Sequence, residues 1–335
     1  MNSFLAIILD TWKQSQKQVV FIIMLVILFI ISIAVIVIPQ KTTLADGKTR
    51  IGFIWEDEPS DYLENSWMGI YMNHFKLLSE ETHTDIDLSN EEAIKKWEED
   101  NNKRREIIAA KVEEKLDYPK DRRSVELIVY FSAYIISFFS MILFLASCAG
   151  YFPGMLASGG IDIVLSKPLK RYQIYLAKYF GGMFLFAIAI LGTYTLIFIG
   201  LGIRTGVWIA EIYMVAPLQI FSAAVLFAIL STIGTITRSS TLSLIIGFVF
   251  YLFIDKGFSV FFQLEDLNVF IDYPTVSAVA NSMRLFIPNF DILRDSSCSS
   301  VLNIPMMEWQ PIFIGGAWII IMLSFGILKF QRTDY

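Results

Sequence analysis

The sequence has few of the residues that usually carry catalysis, metal binding or disulfide bonds. Its 335 residues include only two cysteines and two histidines, and only 18% are charged. Cys148 and Cys298 form neither a disulfide framework nor a metal-ligand spacing. A formal charge of −5 argues against a nucleic-acid-binding protein. The GxxxxGK[ST] loop that binds nucleotide phosphates is also missing, so we expect no ATP, metal or other cofactor on this chain.

Apolar residues take the place of the missing charge. Hydrophobic residues make up 55% of the chain and aromatic residues 15%. The mean hydropathy is +0.56, whereas an ordinary soluble domain carries roughly 25% charged residues. This composition indicates a protein that crosses a membrane several times.

Six stretches are apolar and long enough to cross about 30 Å of hydrocarbon, which needs about 20 residues in a helix. We assign membrane spans to residues 19–38, 125–150, 179–203, 212–237, 239–262 and 310–328. The first is an uncleaved signal anchor, because its apolar run is too long for a signal peptide and no cleavage site follows. We therefore predict an all-α membrane protein with six transmembrane helices and an α/β insertion between the first two.

The apolar cores of these spans carry no ionisable side chain. The charge-free stretches are Val19–Ile38, Leu127–Gly150, Tyr179–Ile203, Ile212–Thr237, Ser239–Ile254 and Gln310–Leu328. Acids, bases and histidines inside a membrane mark proton and ion pathways, and hydrolysis needs them as acid–base groups. Their absence argues against a gradient-driven transporter and against an intramembrane enzyme, so we predict no catalytic residue.

The distribution of lysine and arginine predicts the orientation. The segments on the side of the termini (1–18, 150–178, 237–241 and 329–335) hold nine basic and three acidic residues. The opposite loop 255–310 holds three basic and seven acidic residues. Basic residues concentrate on the cytoplasmic side of short loops. We therefore place both termini in the cytoplasm, including the tail 329–335, and the chain in the cell membrane.

Residues 1–18 precede the first span and have an apolar face. That face is formed by Phe4, Leu5, Ile8 and Trp12. Such a helix would lie on the cytoplasmic leaflet, in contact with membrane lipids. The alternative is that it simply extends the first span.

The insertion at residues 39–124 lies outside the membrane in this scheme. Alternation of Ile51, Phe53 and Trp55 predicts a strand over Arg50–Trp55. Ser89 followed by Glu92 has the form of a capping box and predicts a charged helix to about Leu116. Two weaker features could bind a metal ion, but we interpret both as solvated surface. They are the acidic group Glu56, Asp57, Glu58, Asp61 and Glu64, and the pair His74 and His83.

Two further features concern the helices near the membrane. Pro217 should kink the fourth span. The loop 263–309 is too apolar for a plain connector, and Pro274 and Pro288 bracket an amphipathic segment within it. We predict re-entrant or interfacial helices there, with a surface loop as the alternative.

The cytoplasmic loop 151–178 is the most informative segment. Ile161, Val164 and Leu165 form an apolar edge beside Asp162, and Ser166-Lys167-Pro168 turns the chain toward Arg171. A helix lying on the membrane surface would explain these cations without a partner.

The same residues resemble the first cytoplasmic loop of ABC-2 type transporter permeases. That loop has an acidic turn, an L-S-K-P-like segment, a basic residue and a later Lys-x-x-Gly. Here they are Asp162, Leu165–Pro168, Arg171 and Lys178–Gly181. The ending Phe330–Asp334 is similar to the family's F-x-R-x-D ending, and the six-span plan also fits.

The resemblance implies the membrane subunit of an ABC transporter that exports its cargo. Two cytosolic ATPase subunits, which bind ATP and Mg²⁺, would pair with two copies of this chain or with one copy and a related permease. The helix at 1–18 would be the elbow helix, and the loop before the sixth span would form the outer gate. The coupling residues would be Ile161, Asp162, Val164, Leu165, Lys167, Pro168 and Arg171, and the gate residues Pro274, Pro288 and Asn289.

A second hypothesis assigns the chain to a different class of protein. It could be a membrane anchor whose extracytoplasmic domain binds a partner protein, with an ATPase supplying the force that pulls on that partner. The insertion 39–124 supports this alternative. The sequence does not identify a cargo.

Overall fold

The structure is a computed structural model that describes residues 19–43, 49–55, 63, 66, 69–70, 118–156, 170–266, 273–304 and 309–332. Within these ranges, six helical stretches are long and apolar enough to cross a membrane, and two strands form a hairpin. The predicted fold class is therefore confirmed. The helices predicted at 1–18 and after Ser89 lie outside the described residues.

The elements follow one another in a simple order. They are α1 (Val19–Val37), β1 (Pro39–Thr43), β2 (Thr49–Phe53), α2 (Lys120–Cys148), α3 (Tyr151–Leu156), α4 (Arg171–Thr205), α5 (Val215–Thr237), α6 (Ser240–Phe248), α7 (Asp255–Asp266), α8 (Pro274–Arg284), α9 (Phe290–Ser299) and α10 (Gln310–Arg332). A 3₁₀ segment, Ala210–Met214, precedes α5, and another, Ser300–Leu302, follows α9. A π-helical stretch, Val249–Ile254, joins α6 to α7 into one candidate span.

Several helices extend beyond the apolar stretches that predicted them. Helix α2 begins at Lys120 and α4 begins at Arg171, each several residues before the assigned span, and α7 continues to Asp266. Hydropathy marks only the part of a helix that lies inside hydrocarbon. The helix itself can continue beyond that part where its charged side chains have partners. Arg122 is an example, because its Nε lies 3.2 Å from the carboxylate of Glu126, one turn further along the helix.

Helix α5 forms the centre of the bundle. In the most apolar window of Ala210–Thr237, 61% of the residues are buried, against 17% in Gln310–Arg332. Small residues allow neighbours to approach α5 closely, as is common between membrane helices. A Cβ on Gly182 of α4 would lie 2.7 Å from Cε1 of Phe227, so no other residue fits there without movement.

Pro217, which the sequence predicts to kink the fourth span, lies near the start of α5 and not in its interior. Helix α5 begins at Val215, so Pro217 lies in its first turn. The amide groups of a first turn have no carbonyl partner within the helix. A proline there removes no hydrogen bond of the helix.

The predicted strand is present as β2, and it pairs antiparallel with β1 so that Ile51 lies opposite Lys41. The hairpin is fastened to the helices beneath it. Arg204 Nε of α4 donates to the carbonyl oxygen of Pro39 at 2.6 Å, and Lys41 Nζ lies 3.6 Å from Asp121 of α2. The ends of the first three spans therefore meet at the hairpin.

Candidate functional site at the two ends of the bundle

The bundle has two ends with different chemistry. We call the end where α1 begins and α10 finishes the terminal end, and the opposite one the hairpin end. The predicted elbow residues Phe4, Leu5, Ile8 and Trp12, and the coupling residues Ile161, Asp162, Val164, Leu165, Lys167 and Pro168, lie outside the described residues. Arg171, Pro274, Pro288 and Asn289 lie inside them.

Aromatic side chains hold the terminal end together. Rings from α3, α4 and α10 form what we call the aromatic cluster, which consists of Phe152, Tyr175 and Phe330. The centroid of Phe152 lies 4.6 Å from that of Tyr175, which lies 6.0 Å from that of Phe330. All three side chains are buried. The cluster joins the two helices that flank residues 157–169 to the last helix of the chain.

Polar bonds fix the start of α4 in the same place. Arg171 Nη1 donates to the carbonyl oxygen of Gln331 at 3.0 Å, which ties α4 to the end of α10. The Tyr175 hydroxyl lies 3.2 Å from the hydroxyl oxygen of Ser231 on α5. The helix that follows the predicted coupling segment is thus anchored to both α5 and α10.

Lys178 was assigned to the cytoplasmic loop, but it lies in α4 with only 4% of its surface exposed. Its ammonium group lies 5.6 Å from the ring centroid of Tyr151, within the range of a cation–π contact. The signal for this burial was present in the sequence. Lys178 follows the buried Ile174 by four residues, so both lie on one face of the helix.

At the hairpin end, α9 packs into the bundle. The Ser297 hydroxyl donates to the carbonyl oxygen of Val215, the first residue of α5, at 2.8 Å. Asn289 caps the helix, since its Oδ1 accepts from the Ile292 amide at 3.0 Å and from the Ser259 hydroxyl at 3.2 Å. Two of the predicted gate residues thus precede α9, Asn289 as its cap and Pro288 buried before it, while Pro274 begins α8.

A network of charged and polar side chains joins α9 to α2 and α7. We call it the ionic cluster; its members are Tyr134, Lys256, Asp291, Arg294 and Asp295. Arg294 Nη2 lies 2.6 Å from the carboxylate of Asp291, and it also donates to the Tyr134 hydroxyl at 3.2 Å. Asp291 in turn pairs with Lys256, and the Tyr134 hydroxyl donates to Asp295. Three helices therefore share one set of charges.

Burial and ion pairing shift the pKa of Arg294 in opposite directions. Burial alone lowers the pKa of the guanidinium, but Asp291, Tyr134 and Asp295 together raise it above its ordinary value. Burial raises the pKa of Asp295, and the bond from Tyr134 and the nearby Arg294 reduce the effect. Arg294 therefore stays charged, and its partners determine where α9 can sit.

Two acids that the hydropathy pattern left at span edges are also buried. Glu126 is fully buried in α2, and Arg122 bridges it to Glu211 with Nη2 2.8 Å from the second carboxylate. Asp255 is 2% exposed, and its Oδ1 accepts from the Phe290 amide at 2.9 Å. A count of charges along the sequence does not reveal the contacts with Glu211 and Phe290, which lie in other elements of the fold.

The described residues of the two ends join their helices through packed rings and ion pairs. Among the described residues, no three of His, Cys, Asp and Glu are grouped to hold a metal ion. At the terminal end, the helices on either side of residues 157–169 pack against the rest of the bundle. The hairpin end holds short helices with ionic bonds that have discrete partners.

Comparison with known proteins covers nearly the whole chain. Residues 5–335 match the family model described as ABC-2 family transporter protein. No curated protein matches the chain significantly.

Proposed function

The chain belongs to the ABC-2 family of transporter proteins, and we propose that it is the permease subunit of an ABC exporter. Two cytosolic ATPase subunits, which bind ATP and Mg²⁺, drive it by hydrolysis. A second permease, either another copy of this chain or a related one, completes the assembly. The excess of lysine and arginine supports a cytoplasmic position for the terminal end. In this proposal the chain lies in the cell membrane and catalyses no reaction itself.

The observation that carries this proposal is the anchoring of the helices on either side of residues 157–169. Helix α3 precedes that segment and α4 follows it, and the aromatic cluster binds both to α10. A push on the segment from an ATPase therefore reaches several spans at once. A soft connection would absorb such a movement, whereas closely packed rings transmit it.

In this proposal the residues near Ile161–Leu165 form the coupling helix, and the helix with Phe4, Leu5, Ile8 and Trp12 is the elbow beside it. ATP binding can shift the permease between two conformations only by its differential affinity for them. Docking of Asp162 and Leu165 on the ATPase provides that difference. Arg171, which donates to the carbonyl oxygen of Gln331, fixes the position of the end of the coupling segment relative to α10.

The outer gate consists of α8 and α9 with their leading residues Pro274, Pro288 and Asn289. Arg284 of α8 donates to the carbonyl oxygen of Phe262 on α7 at 3.3 Å, and the ionic cluster connects α9 to α7 and α2. Opening the gate exchanges these ion pairs for water or for new partners. Cargo passes between the two permeases, where uncharged walls suit an apolar or amphipathic molecule.

Co-purification tests the pairing with an ATPase. The chain is extracted from its native membrane in mild detergent, and the bound soluble subunits are identified and assayed for ATP hydrolysis. We expect a stoichiometric ATPase that is lost from Asp162→Lys and Leu165→Asp. Asp57→Lys, the same charge reversal in the outer insertion, is the control and should retain it. Full retention of the ATPase by both coupling variants would disprove the coupling assignment.

A second function is favoured by the way the hairpin is fastened. The bonds from Arg204 to Pro39 and from Lys41 to Asp121 connect both ends of the outer insertion to the spans. A movement of the bundle would therefore pull on that insertion and on any protein bound to it. Stimulation of ATP turnover by an outer protein, and not by small molecules, would favour this mechanical function over export.

A further inference from the structure

Helices α1 and α4 touch near the hairpin end and separate toward the middle of the membrane. A Cβ on Gly200 of α4 would lie 2.6 Å from Cγ1 of Ile36 on α1, so the two backbones approach closely there. Gly192, Leu196 and Gly200 follow one another at four-residue intervals along one side of α4. At Gly192 an added Cβ would meet nothing within 4 Å. The gap between the helices therefore opens in the direction of the terminal end.

The separation creates a groove with a volume of about 440 Å³. Its walls run from Ile22 to Ser32 on α1 and from Ile188 to Leu196 on α4. Both walls belong to candidate spans, and Ile22, Leu25 and Phe29 on α1 are exposed. The groove consequently faces hydrocarbon. A space of this size is not left empty, because its lining would lose van der Waals contacts.

Among the described residues that line the groove, none is charged, and only Ser32 and Thr193 carry a hydroxyl group. Ser32 donates its hydrogen to the carbonyl oxygen of Leu28 at 2.8 Å, and Thr193 donates to that of Ala189 at 2.8 Å. The hydroxyl hydrogens are thus used within their own helices. An occupant is held by contact with apolar surface alone.

The length of the groove distinguishes an acyl chain from a helix. From Ile22 to Ser32 the helix rises about 15 Å, which is half of the roughly 30 Å of hydrocarbon in a bilayer. A transmembrane helix lying lengthwise in the groove would extend over the full depth of the bilayer, but the contact of Gly200 with Ile36 closes the other half. One acyl chain reaches from one leaflet to the bilayer centre.

We propose that this groove binds one acyl chain of a membrane phospholipid from the leaflet on the terminal side. The proposal is independent of export, because it rests only on α1, α4 and their position in the bilayer. Such a lipid fills the groove between two spans that approach each other closely at Gly200. It is a structural ligand in addition to the proposed cargo pathway.

A photoreactive lipid tests the proposal. The full-length chain is reconstituted in nanodiscs that contain a phosphatidylcholine with a diazirine in the middle of one acyl chain. After irradiation, labelled peptides are identified by mass spectrometry. We expect labelling on both walls of the groove, within 22–32 and 188–196. Excess unlabelled phosphatidylcholine with long chains should compete, and the same lipid with short chains should compete poorly.

Two glycine variants provide the matched comparison. Gly192→Phe fills the groove, and its Cβ meets no atom within 4 Å, so the fold should persist. Gly316→Phe is the control, because Gly316 on α10 is equally open. We expect a severalfold loss of groove labelling in the first and none in the second. Gly192→Leu repeats the test with a smaller side chain if the phenylalanine variant fails to fold.

Other outcomes would overturn the proposal. Unchanged labelling in folded Gly192→Phe or Gly192→Leu would show that the lipid does not enter the groove. Labelling that does not depend on acyl-chain length would show contact with bulk lipid only. A disulfide-linked dimer formed by Gly192→Cys in native membranes would show that a second copy of the chain occupies the groove instead.

Discussion

The two ends of this bundle are stabilised by different kinds of interaction. At the terminal end, Phe152, Tyr175 and Phe330 pack as rings, and Arg171 donates to the backbone carbonyl of Gln331. At the hairpin end, Arg294 and Lys256 share the carboxylate of Asp291. Ring packing depends on shape and tolerates only small displacements. Ion pairs depend on partners and can be exchanged when the partners or water rearrange.

This difference fits the proposed transporter, in which an ATPase acts on one end of the bundle and the other end opens. The terminal end, with its packed rings, lies next to the segment where we propose that the ATPase docks. The ionic end holds α9 between α2 and α5, where we propose the outer gate. A closed gate maintained by a few charged side chains can open without disturbing the aromatic packing at the other end.

The largest effect is expected from a cavity at the aromatic end. Phe330→Ala should lower the stability by about 3 kcal/mol, at the low end of the range for buried phenylalanine. We expect a value at the low end of this range because hydrocarbon, rather than water, surrounds the helices when they separate. Phe313→Ala on the same helix is the control, since Phe313 is 73% exposed. Thermal unfolding of the purified chain in detergent measures both, and equal stability for the two variants would contradict the role of the cluster.

A smaller loss of stability is expected at the ionic end. Arg294→Ala leaves Asp291 and the Tyr134 hydroxyl without their shared donor. Removing one member of a buried pair costs about 3–5 kcal/mol, and we expect about 2 kcal/mol because Lys256 still neutralises Asp291. Arg294→Lys should recover part of this loss, because it restores the charge without the planar fork. If Arg294→Ala were as stable as the parent protein, the ionic cluster would not be what holds α9 in place.

The smallest effects should appear in the reactivity of the two cysteines, one at each end. Cys148 ends α2 at the terminal end and Cys298 lies in α9. Both are free and buried, and burial raises the pKa of Cys298 to about 12. Maleimide needs the thiolate, so both should react slowly in the folded protein.

The same thiols report which end a variant loosens. Phe330→Ala should accelerate labelling of Cys148 more than that of Cys298, and Arg294→Ala should do the reverse. Mass spectrometry of the labelled peptides measures the two rates separately. Equal acceleration of both cysteines by either variant would mean that the two ends open together rather than independently.

Part of this protein could be predicted because the information is local in the chain. Membrane insertion depends on the summed hydropathy of about 20 consecutive residues. The count of six spans could therefore be obtained from stretches such as Val19–Ile38. The alternation of Ile51 with Phe53 predicted a strand for the same reason, since a side-chain period of two needs no knowledge of the partner strand. The coupling segment 161–168 stays a prediction from its motif.

Tertiary structure decided the features that depend on which helix faces which. Lys178 and Asp255 look like charges at span edges, but both are buried and contact Tyr151 and Phe290 on other helices. Gly192 and Gly200 look alike in the sequence, but an added Cβ would meet α1 at Gly200 and open space at Gly192. Hydropathy is a sum over neighbours in the chain, whereas a contact requires two distant segments to meet in one geometry. The sequence by itself therefore determined how many times this protein crosses the membrane, and only the packing of the helices decided where its ion pairs and its groove lie.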